Sequence, residues 1–233
     1  MFFLALFVLD ISLLYFFSKV LSKSLSQIFL RITKSQTATI QLLSIIFLPG
    51  VILHELAHFL VASILFVKVG DMEFLPTISE NAIKLGSVAI GRADPFRRII
   101  IGFAPVFLGI LTFIASIYYL TQTPFLITVE SYIGSTGKIV MEVIIVYFLF
   151  AVSNTMFSSK KDLEGSLAVL ILAILIIAVS YFLGFRIEFS FLFFLLSDKF
   201  LNLIKKADLY LTIPIFIDAI IYSWIKLFIR GKA

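Results

Sequence analysis

Residues 40–67 read IQLLSIIFLPGVILHELAHFLVASILFV, an apolar run long enough to cross the roughly 30 Å hydrocarbon core of a bilayer as a helix. From Leu42 to Val67 its only ionisable side chains are His54, Glu55 and His58. A charge at the centre of a membrane helix costs about 2.5–3.5 kcal/mol on insertion scales, so three such groups in one span call for a task. On a helix, positions i and i+4 stand on the same face, and His54 and His58 can offer two imidazole nitrogens to one ion. Zinc takes such nitrogens at about 2.0–2.1 Å. Glu55, next to the first histidine, can reach a water activated by that ion and serve as general base. The plainer alternative is that the three groups pair with charges on other spans and merely join helices. These two histidines are the only ones in the chain, which makes a chance arrangement improbable.

Outward from this run, the rest of the chain has the same solvent preference. Of 233 residues 61% are hydrophobic and 14% charged, far from the balance that coats a soluble domain. The net charge of +5 is spread over short stretches: Lys19, Lys23, Arg31 and Lys34; Arg92, Arg97 and Arg98; Lys205 and Lys206. That distribution suits anionic headgroups and excludes a nucleic-acid face, which needs a basic stripe on a folded domain. Spans are expected at about 2–18, 40–67, 98–120, 139–157, 166–184 and 207–229, with 186–197 a marginal seventh. Residues 2–17 read as a first span rather than a cleaved signal, since no basic region precedes them. The expected fold is an all-α polytopic membrane protein, one integral domain over 1–233, with six or seven transmembrane helices. A small β-hairpin is expected after the second span, because residues 83–90 partly alternate within the polar stretch 68–97. Basic residues divide almost evenly between the two sides, so the positive-inside rule does not choose an orientation.

Catalytic zinc sites usually take three protein ligands. With no cysteine and no third histidine, the third must be a carboxylate. Candidates in or beside spans are Asp10, Glu142, Asp162, Glu164, Asp208 and Asp218. Each has an ordinary reading too. Asp162 ends Ser159-Lys160-Lys161-Asp162, the Ser-x-x-Asp form of a helix start. Asp10 and Asp218 can be polar contacts between spans. Glu142 sits near one end of its span, and Asn154 can be a cap at the end of an apolar run.

The order of parts resembles the site-2 protease family of intramembrane zinc metallopeptidases. That family has a histidine-glutamate motif in one span, then a polar hairpin, then a span opening with Ala-Gly-Pro-like residues, then an Asn-x7-Asp motif. Here stand His54 to His58, the polar stretch 68–97, Gly102-Phe103-Ala104-Pro105, and Asn154 with Asp162 eight residues later. Lys161 and Leu163 flank that aspartate where the family carries Leu and Gly. The resemblance covers about residues 40–170 and leaves 1–39 and 171–233 as extra spans. It implies one zinc ion held by His54, His58 and Asp162, with Glu55 as base and Asn154 near the substrate backbone. The implied reaction is hydrolysis of a transmembrane protein or peptide substrate within the lipid bilayer. The expected setting is multi-pass, in a prokaryotic cell membrane. Two other readings stay open: a membrane zinc peptidase of another type, with Glu142 or Glu164 as third ligand, and a non-proteolytic transporter or scaffold. Asp218 is the main rival to Asp162.

Overall fold

The computed structural model describes residues 2–79, 82–121, 123–157 and 197–230, with single positions at 175, 179 and 182. Within these residues the long apolar runs are helices. α1 (Phe2–Thr33) turns directly into α2 (Gln36–Ile64) through Lys34 and Ser35. Lys34 takes a left-handed φ of 52° and its N–H bonds the Leu30 carbonyl at 2.9 Å. Ser35 then caps α2, its hydroxyl accepting the Ala38 N–H at 3.3 Å. At the far end of α2, Phe66 N–H bonds Ser63 O at 3.0 Å and Val67 N–H bonds Ala62 O at 2.9 Å. This closure satisfies the last carbonyls and turns Val67 inward, against Ala62 and Ile101.

The polar stretch that follows is a hairpin in two parts. β1 (Val69–Glu73) pairs antiparallel with β4 (Ser87–Ile90), Glu73 opposite Ser87. Further out, β2 (Thr77–Ser79) pairs antiparallel with β3 (Ala82–Lys84), Thr77 opposite Lys84. The alternation over 83–90 foretold one strand, whereas the chain makes two and breaks between them at Leu85 and Gly86.

α3 (Pro95–Thr121) begins with Asp94 accepting the Arg97 N–H at 3.0 Å and with proline in the first position, where its missing N–H costs nothing. α4 (Thr123–Thr155) consists of two helical pieces that meet at Gly134, whose φ of 70° and ψ of 175° glycine adopts most readily. α5 (Asp198–Arg230) is capped by Ser197, which accepts the Phe200 N–H at 3.3 Å.

Five of the described helices are long and apolar enough to cross a membrane: Ala5–Thr33, Gln36–Ile64, Pro95–Ser116, Gly134–Thr155 and Phe200–Leu227. Of the expected spans at 166–184 and 186–197, all but positions 175, 179, 182 and 197 lie outside the described residues. The first helix continues well beyond the expected end at residue 18. Its polar second half is accommodated because Ser24 bonds back to the Val20 carbonyl at 2.8 Å while Leu21 faces inward.

The C-terminal half of α4 runs through the middle of the packing. On one side Leu149, Val152 and Met156 meet Leu14 of α1, Phe113 of α3 and Leu211 of α5, with Leu53 of α2 against them. On the other, Phe150 meets Leu21, Phe47, Val51 and Ile225.

Candidate metal centre

His54, Glu55 and His58 lie in the second half of α2, on the face turned into the bundle, while Leu56 between them is exposed. His54, Glu55 and His58 are 6%, 8% and 5% exposed. The helical spacing brings the two rings edge to face, centroids 4.8 Å apart, with their Nε2 atoms 3.2 Å from each other. Nδ1 of His58 lies 2.8 Å from the Ile101 carbonyl of α3. A carbonyl only accepts, so Nδ1 carries the hydrogen and Nε2 keeps its lone pair. That is the orienting bond metal-binding histidines usually make. Two donors on one tetrahedral zinc, with bonds of about 2.0–2.1 Å, stand about 3.3 Å apart. The observed separation fits an ion held between the rings.

The position of this pair along the bundle is set by a close approach. A side-chain carbon on Gly50 would overlap the Ala151 carbonyl and the Thr155 hydroxyl, so α2 and α4 touch backbone to backbone there. Ile46 accepts the Tyr147 hydroxyl at 2.9 Å, and Phe47 stacks on Phe150. The two helices therefore advance in the same direction, and the last residue of α4 stands about one turn, or 6 Å, before His54 along the α2 axis.

The hairpin reaches the same place from the other side. At its break, a side-chain carbon on Gly86 would lie 2.6 Å from Val51 Cγ1 and 3.1 Å from Glu55 Cγ. Glycine is needed here for the strand to lie on Glu55.

No family model, no curated protein and no solved structure matches the chain.

The other residues singled out from the sequence have separate fates. Asn154, buried near the end of α4, donates to the carboxylate oxygen Oδ1 of Asp218 at 2.9 Å and to the Phe150 carbonyl at 3.0 Å. Asp218, on α5, is fully buried. Its partner is thus the asparagine, in keeping with a polar contact between helices. Asp10 lies beside Asp208 where α1 meets α5, and Glu142 is half-buried on α4. Among the described residues no group of three or more His, Cys, Asp or Glu side chains is placed to hold a metal. Asp162 and Glu164 lie outside the described residues.

Several contributors have no signature in the sequence. α1 supplies donors to the end of α4: Ser18 bonds the Asn154 carbonyl and Lys19 the Phe157 carbonyl, each at 2.9 Å. A helix end leaves such carbonyls without intrahelical partners. Their donors are more than a hundred residues away in sequence, beyond the reach of any local pattern. The Ile101 carbonyl is equally invisible, since a backbone group has no letter of its own.

Proposed function

We propose that this chain is an intramembrane zinc metallopeptidase of the site-2 protease kind, a multi-pass membrane protein of six or seven spans that hydrolyses peptide bonds of membrane-embedded substrates. The observation that carries the proposal is the pair of imidazole nitrogens 3.2 Å apart, one oriented by a backbone carbonyl, with Glu55 in the same buried turn.

His54 and His58 would supply two ligands and Asp162 the third. Elimination supports this: the described carboxylates Asp10, Glu142, Asp208 and Asp218 do not gather at the histidines, which leaves Asp162 and Glu164 among the candidates. The resemblance to the site-2 protease family, through its Asn-x7-Asp motif, favours Asp162 of the two. Reach is ample, because seven residues from Thr155 can span up to about 23 Å and the gap to be covered begins one helical turn from His54.

When bound, zinc lowers the pKa of a water it holds and polarises a carbonyl next to it. Glu55 takes the proton of the attacking water and returns it to the leaving amine. Asn154 can lend an N–H to the substrate backbone or to the developing oxyanion by giving up one of its present acceptors. The hairpin lying on Glu55 can take an unwound substrate segment by edge pairing.

The test uses the purified full chain, loaded with zinc, on a model transmembrane substrate. Glu55→Gln should retain zinc and lose about 10²–10⁴-fold in cleavage rate. Undiminished cleavage by the zinc-bound variant contradicts the assignment. Zinc retention by a wild-type chain that cleaves nothing turns the reading to a non-proteolytic membrane protein.

A further inference from the structure

In a helix, each carbonyl receives the N–H of the residue four positions on. The Ile101 carbonyl of α3 would receive the N–H of residue 105, but residue 105 is a proline and has none. A carbonyl freed in this way inside a buried helix must find another donor. Ile101 is itself buried, 4% exposed, and the group that reaches it is Nδ1 of His58, at 2.8 Å. The hydrogen bond missing from α3 and the orientation of the histidine are therefore one feature seen from two helices.

We propose that Pro105 is a positioning residue for the metal centre: by leaving the Ile101 carbonyl without its helical donor, it reserves that carbonyl for His58 Nδ1 and so directs the His58 Nε2 lone pair at His54. The proposal rests on the zinc reading above, but concerns a different residue and a different bond. Proline in a helix interior is ordinarily strongly disfavoured relative to alanine. Its presence in the middle of the helix packed against the histidines fits a residue kept for what it withholds. The same orienting bond in known metal sites is worth 10–100-fold in metal affinity.

The sign of the expected effect separates positioning from a structural role. Pro105→Ala restores an N–H to α3, so the helix gains a hydrogen bond while His58 loses sole use of its acceptor. In the full-length chain, zinc competition with a chelator should show affinity lowered about 10-fold or more, with thermal stability of the metal-free protein unchanged or raised. A second measurement needs no zinc. Nitrogen NMR of labelled histidine in the metal-free wild type should show His58 in the single Nδ1–H tautomer, and in Pro105→Ala a mixture of the two tautomers.

Zinc affinity and tautomer both unchanged in Pro105→Ala overturn the proposal. Should Pro105→Ala fail to accumulate as folded chain, the wild-type spectrum decides: the Nδ1–H form supports it and the Nε2–H form overturns it. If the wild type binds no zinc at all, the metallopeptidase reading fails instead, and the tautomer comparison still judges the role of Pro105.

Discussion

Two pairs of like ionisable groups are buried in this bundle, one of imidazoles and one of carboxyls. His54 and His58 stand on a single helix, four residues apart, with a carbonyl of α3 fixing which nitrogen of His58 faces its neighbour. Asp10 and Asp208 stand on different helices and lie beside each other between α1 and α5. The imidazole pair thus brings two ring nitrogens to one point, while the carboxyl pair lies between two helices. Burial of ionisable groups inside apolar helices is common to both and does not by itself make a site. What sets the histidines apart is that two possible metal donors stand 3.2 Å from each other on one helix face.

Mutation of each pair sharpens the contrast. The largest effect belongs to His54→Ala or His58→Ala, which should reduce bound zinc from one ion per chain to almost none and abolish cleavage. Asp208→Asn should leave zinc content unchanged, as measured by elemental analysis of the purified variants. If the acid pair proved necessary for zinc, the distinction would be wrong.

Next comes the close approach that sets the level of the histidines. Gly50→Leu places side-chain atoms where the Ala151 backbone stands, and overpacking of this kind costs about 1–3 kcal/mol or more. Thermal unfolding in detergent should register it, with zinc retention falling in parallel because α2 must move away from α4.

A similar loss of stability, without loss of zinc, is expected of Asp10→Leu, which strands Asp208 as a lone buried carboxyl at a cost of about 1–3 kcal/mol. The smallest effect is expected from Asp10→Asn. An amide can still bond Asp208, so its unfolding temperature should stay near that of the wild type.

These two regions also differ in how far the sequence announces them. The histidine pair is legible because its geometry is that of one helix, and a spacing of four residues is enough to predict a shared face. The pairing of Asp10 with Asp208, or of Asn154 with Asp218 across 64 residues, depends on how separate helices meet, which a single sequence does not encode locally. Helix limits fail for a related reason. The second half of α1 looks like a connection because Lys19, Ser22, Lys23 and Ser24 are polar, yet it remains helical, with Leu21 buried among α2, α4 and α5. Residues 123–138 were expected to lie outside a span, and they are helical up to and beyond the bend at Gly134. In the hairpin, β4 could be foreseen from alternation, but β1 could not, because Gly70 and Asp71 are poor strand formers and the strand exists through its pairing with β4.

The central claim is that His54 and His58 hold one ion between them, and zinc K-edge X-ray absorption on the purified full-length chain tests it most directly. The account predicts one zinc per chain with two imidazole nitrogens at about 2.0–2.1 Å and oxygen in the remaining positions. A chain that purifies and reconstitutes without zinc, or a zinc whose spectrum shows no imidazole scattering, contradicts it.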